Sequence, residues 1–482
     1  MSWPTGRRRP GCRCPIRLGF LGSQRIPLLK LPTHVLSLSR LYWTAFLASN
    51  MWRQSRYPFL AVPRIAADRD HAVRRMIAYA FRHVPYYRRT FLQLGLTPED
   101  FRSGDDITKL PVIDAETIRH GPDQFLADNV DPRSGLVLKT SGSSGVSRAV
   151  HIDRAAIFRN AAQGERERSM IATAVGKRHG YREAVIVLDA GLDESSTPRV
   201  QRFMRRNAYF PKTVEVERMY IDAAEQPQAY LPRLNRFAPD IIQGYGSSFD
   251  HLIDHVTTTR AEFHRPRAAY FHSDAIATPT RAALQALGIP VFSTYEACEA
   301  LKIGFECDAH QGYHVNIDTY PVRIVDRDGR DVPAGETGTV VVSNLSNRAM
   351  VLLNYDLGDR ARWLPGPCPC GRTLPRLELV DPSALQSITL PSGRIVNPSQ
   401  LYGLFLGEPG LHDHQIVHVS PDRFRLVLVV PDPAEREACG SRILKAFQGI
   451  VAEDATAEAV FVDRIPLSNG GKKRKYIPLS TA

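Results

Sequence analysis

Between residues 183 and 297 short apolar runs alternate with helix-like stretches. EAVIVLDAG, DIIQGYG, RAAYFHSDA and IPVFSTY are β-type runs, and TPTRAALQALG between the last two has helical spacing. Strands joined through helices pair in parallel, and a parallel sheet needs cover on both faces. The pattern therefore predicts an α/β body with a largely parallel sheet. Upstream, residues 68–130 predict helices with short breaks at prolines. SGLVLK and RAVHID predict two strands, and AAIFRNAAQGERERSMIATAV one helix. From about 314 to 365 the chain becomes strand-rich: YPVRIVDRDGRDVPAGETGTVVVSNL carries a DG turn. Residues 383–482 predict a compact α+β tail. It starts with strands QSITLP and RIVNP around SG, and FRLVLVV and AVFVD flank a helix near EREACGSRILKAFQGIVA. Neither repeats nor low-complexity segments are present.

The 482 residues are enough for two to three domains with ample cores. We divide them into a basic N-terminal extension (1–60), a large domain (61–382) and a small C-terminal domain (383–482). The formal net charge of +12 raises the question of a nucleic-acid partner. Its distribution argues against one. Residues 1–60 hold ten Lys and Arg and no acid, and the rest of the chain is close to neutral, with 52 basic against 50 acidic residues. Arg25, Lys30 and Arg40 interrupt the apolar part of the extension before it reaches about 18 residues, too short to span a bilayer. Three readings of it stay open: a basic arm in peripheral contact with anionic lipid, a helical arm packed on the body, or an over-long start with Met51 as the true beginning. The seven cysteines (12, 14, 298, 307, 368, 370, 439) are odd in number and sparse, and no secretory signal precedes them. That favours a reducing, cytoplasmic setting over fixed disulfides.

The loop Lys139–Arg148 reads KTSGSSGVSR. It lacks the Gly-Lys of a Walker loop and joins strand to strand. Its glycines still let backbone N–H groups converge on an anion, its hydroxyls add donors, and Arg148 adds a charge suited to phosphate. A flexible surface loop would look the same in isolation.

Other segments accompany it in order: GETG (335–338) follows YEACE (295–299), and YDLGD (355–359) and PLSNGGKKR (466–474) come after. Together they resemble the adenylate-forming superfamily of acyl-CoA synthetases. HVPYYRR (83–89) and CPCGRTLPR (368–376) resemble its phenylacetate–CoA ligase branch. The resemblance implies a large adenylation domain with mixed and parallel sheets and a small mobile α+β lid. It implies attack of a carboxylate on the α-phosphate of ATP, giving acyl-AMP, followed by transfer to CoA. Thr140, Ser141, Gly142, Ser143, Ser144 and Gly145 would wrap the phosphates, with Arg148 assisting. Glu299 would hold Mg²⁺, Tyr295 would pack near adenine or the α-phosphate, and Asp359 would accept from the ribose hydroxyls. Lys472 would bridge the carboxylate and α-phosphate in the transition state. Arg376 is a further candidate for phosphate or ribose. Tyr245, Gly246 and Ser273 fall where the family lines its acid pocket. Outside this context Glu299 and Asp359 read as surface acids, Lys472 as part of a solvated charge run, and Tyr245 equally well as core.

Cys307, His314, Cys368 and Cys370 form a Cys₃His set suited to tetrahedral Zn²⁺. The resemblance strengthens this, since related enzymes carry a Cys/His zinc cluster here. His310 is the rival fourth ligand, and buried free thiols are the alternative. Two departures from the family stand out. Pro382–Gln386 occupies the place of its Gly-Arg-x-Asp-Asp hinge, which puts the CoA step in question. Ser273-Asp274 stands where the branch often has Gly-Glu. The expected activity is an ATP-dependent acid–CoA ligase for an aromatic or related acid. The alternatives are transfer of the acyl group to a carrier protein or an amine, and nucleotide binding without catalysis.

Overall fold

The computed structural model describes residues 37–139, 148–187, 196–211, 214–223, 225–380, 388–396, 401, 403–405, 408–465, 476–477 and 479. The sequence from 140 to 147, residues 382–386 and Lys472 lie outside them.

Helix α1 (Leu38–Met51) precedes α2 (Val62–His83) and α3 (Pro85–Leu94). Val73, Met76, Ile77 and Ala80 recur at helical spacing on α2 and are buried, so this face of the helix is drawn into the core. Pro85 begins α3, where a missing N–H costs nothing, and Gly95 ends it in the left-handed conformation. Helix α4 (Ala115–His120) is capped by Asp114, whose carboxylate accepts from the Thr117 N–H at 2.7 Å. Strands β1 (Leu136–Lys139) and β2 (Ala149–Ile152) pair antiparallel, with Lys139 opposite Ala149. The serine- and glycine-rich loop therefore runs from strand to strand, as its sequence predicts. The single helix expected next is two, α5 (Arg154–Gln163) and α6 (Glu165–Val175), meeting at Gly164.

The parallel part follows as β3 (Arg182–Val187), α7 (Ser196–Asn207), β4 (Glu217–Asp222), α8 (Pro227–Phe237), β5 (Ile241–Tyr245), α9 (Gly246–Thr259), β6 (Ala268–His272), α10 (Thr278–Ala286) and β7 (Val291–Ala297). β3, β5 and β6 are apolar almost throughout because both faces are covered. Helices α8–α10 close one face through Leu234, Leu252 and Leu284. Helix α6 closes the other through Met170 and Val175, against Tyr270 and Phe292. After β7 the chain turns back antiparallel through β8 (Leu301–Glu306), β9 (Tyr313–Val315), β10 (Val322–Val325), β11 (Gly338–Val342), β12 (Tyr355–Leu364) and β13 (Arg376–Val380). All but β1 and β2 join one mixed sheet of 11 strands, ordered β10-β11-β12-β13-β9-β8-β7-β6-β5-β3-β4.

From Ile388 a separate core begins. A hairpin of β14 (Ile388–Thr389) and β15 (Ile395–Val396) turns at Gly393, whose φ of +85° suits glycine. Then come β16 (Asp413–Ser420), β17 (Arg423–Val429), α11 (Arg436–Val451), β18 (Thr456–Phe461) and β19 (Tyr476–Ile477), with the strands in the order β18-β17-β16-β19. A buried polar contact joins this region to the large sheet: His251 Nε2 on α9 lies 3.1 Å from Asp413 Oδ2 on β16.

Helix α1 packs on the body. Trp43 stacks on Phe158 of α5 with ring centroids 5.2 Å apart, and Leu47 is buried beside Phe158 and Ala162. Arg40 donates to the Ala208 carbonyl and lies over the Tyr209 ring. Among the described residues no helix is long and apolar enough to cross a membrane.

Candidate active site

The C-terminal end of β7 and the start of β12 meet near Arg148. The Tyr295 hydroxyl donates to Asp359 Oδ2 at 2.7 Å, and the Tyr355 hydroxyl donates to Glu299 Oε1 at 3.3 Å. Arg148, just past the loop, places its guanidinium 3.7 Å from Glu299. The Asn344 amide fixes the backbone from within by donating to the Glu299 carbonyl at 3.0 Å. Tyr295 and Glu299 are buried. Burial, with Asp359 next to it, drives the Tyr295 hydroxyl well above the usual tyrosine range, so it stays a donor. Burial also raises the Glu299 carboxyl, against the pull of Arg148 and the Tyr355 hydroxyl. The fold thus gathers Arg148, Tyr295, Glu299 and Asp359, residues up to 211 positions apart in sequence, at one corner. Tyr355 belongs to it too. It was visible inside YDLGD, but nothing in the sequence gave it a role.

Tyr245, Gly246 and Ser273 sit at the neighbouring strand ends, where open α/β sheets carry their ligand crevices. Tyr245 ends β5 and meets His272 edge-on, with ring centroids 5.7 Å apart. Gly246 begins α9. A Cβ there would fall 2.3 Å from the Ala275 carbonyl oxygen, so no side chain fits. Ser273 has φ +73°, a conformation that favours glycine. This accounts physically for the glycine common there in the branch. Serine bears the strain, and its hydroxyl lies 2.9 Å from His272 Nδ1. Asp274 accepts from the Ser247 hydroxyl at 2.7 Å and so holds the start of α9.

Cys307, just past β8, His314 on β9, and Cys368 and Cys370 in the turn after β12 bring their donor atoms within 4.8 Å of one another. The Sγ atoms of Cys307 and Cys368 are 3.6 Å apart, and Cys370 Sγ is 3.3 Å from His314 Nε2. Tetrahedral zinc with Zn–S near 2.3 Å sets its sulfurs about 3.8 Å apart, so the residues fit that ion. His314 Nδ1 bonds the Leu374 carbonyl at 3.1 Å, which aims Nε2 at the thiols. Burial lowers the His314 pKa to about 4 and raises Cys307 to about 12. His310 is turned away, its Nδ1 lying 3.3 Å from Glu306.

Arg376 belongs with this cluster, not with the nucleotide corner. Its guanidinium is buried and donates to Gln311 and to the carbonyls of Pro365, Gly366 and Pro367. It pairs opposite Leu364, five residues along β12 from Asp359 and so roughly 16 Å away at about 3.3 Å per residue. The sequence placed it within reach of phosphate because a lone arginine carries no sign of its bonding partners. The phosphate-loop residues Thr140–Gly145 and Lys472 fall outside the described residues.

No protein-family model matches the chain. It is 23% identical over 475 residues to a phenylacetate–coenzyme A ligase from Thermus thermophilus, covering 89% of this chain and 100% of that protein. To a phenylacetate–coenzyme A ligase from Aromatoleum evansii it is 22% identical over 430 residues, covering 83% and 91%. Among solved structures it is similar to 2-hydroxyisobutyryl-CoA ligase in the postadenylation state, with a TM-score of 0.64 at 17% identity over 88% of this chain and 91% of that one. The same enzyme in the thioesterification state gives 0.55 at 18% identity over 88% and 91%. The chain has the adenylate-forming ligase fold, and its resemblance in sequence, running along most of its length, is to the phenylacetate–CoA ligase branch.

Proposed function

We propose that this protein is an AMP-forming acid–CoA ligase. It joins a carboxylic acid, aromatic by its resemblance, to the α-phosphate of ATP with release of pyrophosphate, then passes the acyl group to the thiol of CoA. The meeting of Arg148, Tyr295, Glu299 and Asp359 at one corner, beside the ends of β5 and β6, carries this reading. Such chemistry asks the protein for alignment and charge neutralisation rather than a nucleophile. Asp359 takes the ribose hydroxyls with acceptor oxygens, and Tyr295 fixes that carboxylate. Arg148 binds the phosphates, and Thr140–Gly145 is assigned the same role from its sequence. Glu299, a buried carboxylate, is the residue that would hold Mg²⁺. The ion supplies charge neutralisation on the phosphate oxygens when bound. Cys307, His314, Cys368 and Cys370 would hold a structural zinc, which would pin β9 to the turn after β12. Cysteines kept reduced for metal binding suit a reducing cytosol.

The test is acid-dependent pyrophosphate release from Mg-ATP across aryl and alkyl acids, with and without CoA. Release that quickens with CoA supports the ligase. Release indifferent to CoA points to a carrier-protein or amine acceptor, in keeping with the altered Pro382–Gln386 segment. ATP binding without release leaves only a nucleotide-binding module. Lys472→Ala is expected to slow acyl-AMP formation about 10²–10³-fold, with ATP affinity changed far less. Undiminished acyl-AMP formation in that variant removes the assignment.

A further inference from the structure

Helix α1 is apolar on two sides. Its inner side is accounted for: Trp43, Phe46 and Leu47 pack with Phe158, Ala162 and Ala208. Its outer side is not. Leu38, Leu41, Tyr42, Ala45, Ala48 and Trp52 recur at helical spacing and so form one stripe, all of them exposed. Leu38 is 83% exposed, Tyr42 59% and Trp52 74%. The Trp52 N–H donates to the Ala48 carbonyl at 3.1 Å, which carries the helical turn past Met51 and keeps Trp52 in line. Ser49, within the stripe, turns its hydroxyl back on the Phe46 carbonyl at 2.9 Å. Apolar residues scattered singly over a surface need no explanation, but a continuous stripe does. A helix that is apolar all round is normally covered all round.

The charge around the stripe is of one sign. Residues 1–67 contain no Asp or Glu, and Arg53 and Arg56 follow the stripe, both exposed. Helix α7 lies along the flank of α1, where Arg40 donates to the carbonyls of Arg205 at 3.2 Å and Ala208 at 3.0 Å. It too holds no acid. Its Val200, Phe203 and Met204 pack on the core, and helical spacing sets Arg199, Arg202 and Arg206 together on another side. Arg205 is matched by Glu215 at 2.9 Å.

We propose that the outer face of α1 is a docking surface for anionic lipid, on which the protein lies peripherally with α1 in the plane of the headgroups. The apolar stripe enters the interface, where Trp and Tyr are well suited, and the arginines beside it meet the lipid phosphates. Complementary charge selects this occupant. In a two-fold dimer the same face would meet itself, and its basic surroundings would meet too.

The test is co-sedimentation of the full chain with vesicles of phosphatidylcholine alone and of equal parts phosphatidylcholine and phosphatidylglycerol, at low and high salt. Binding is expected to the anionic vesicles, weakening with salt. Leu38→Glu combined with Trp52→Glu should weaken it about tenfold or more. Arg53→Gln and Arg206→Gln should each weaken it about fivefold. All four positions are exposed, so these variants should melt as the wild type does. Tryptophan emission should shift to the blue on anionic vesicles, a change missing from Trp52→Phe. No binding, equal binding to neutral vesicles, or an unshifted emission overturns the proposal. Binding that the Leu38 and Trp52 changes leave intact overturns it too, and gives the contact to the basic residues of 1–36 alone. A dimer in light scattering that the same changes split gives the face to a second copy and overturns it as well.

Discussion

Strand β8 has a buried polar cluster at each end, and the two are balanced in opposite ways. Lys302 at its start is a cation supplied by the chain, set between the carboxylates of Glu167 and Glu296. Cys307 just beyond its end belongs to four donors, three thiols and an imidazole, within 4.8 Å of each other. Hard carboxylates are matched by an ammonium on the same strand. Thiols and an imidazole are a donor set that a borrowed ion would match. The lysine cluster needs no such ion. One end of the strand should therefore depend on metal supply, and the other should not.

The largest effect is expected at the metal end. Cys307→Ser should abolish bound zinc and lower the melting temperature by about 10 °C or more. Elemental analysis of the purified protein together with a thermal melt checks this, and a metal-free wild type with an unchanged melt breaks the comparison. Next is Lys302→Met, which leaves two carboxylates without their cation and should cost about 3–5 kcal/mol in denaturant unfolding with no change in zinc content. Loss of zinc in that variant would mean that the two ends are not independent.

The smallest effect is a difference in pH response. Burial raises the Glu296 carboxyl, but Lys302 and then His272 outweigh it and leave its pKa below normal. Its contribution is present above the unfolded carboxylate range, near 4.3, and is lost only as pH falls through the still lower folded value. Glu167, raised by burial, works in the opposite sense. Lys302 is raised, so its contribution is complete below about 10.4 and is lost only above that. Above the range in which Glu167 titrates, and up to about pH 10, the lysine end is therefore steady. The metal end should release zinc in acid, as its thiolates and imidazole are protonated. Zinc retained at pH 4 would erase the distinction.

These contrasts also mark what was legible beforehand. The parallel strands were readable because burial on both faces leaves long apolar runs. β4, reading ERMYID, was missed because an edge strand keeps polar residues. β16, reading DHQIVHVS, was missed because its apolar positions are few. The four metal donors stood out because Cys and His are rare and clustered. The lysine cluster did not, because GERERSM looks like a solvated charge run. In the fold Glu165, Arg166 and Glu167 are all buried, and Arg166 is matched by Asp318 at 2.7 Å, far away in sequence. Pairing across elements leaves no trace in local pattern. Arg376 was misplaced for the same reason.

Helix α1 has a consequence for how much of the chain can be dispensed with. Phe158 and Ala162 owe their cover to Trp43 and Leu47. A translation product beginning at Met51 would keep the sheet and both clusters yet display a bare aromatic scar on α5. Such a product would be self-adhesive, and its fate would be decided by chaperones and by concentration more than by its catalytic residues.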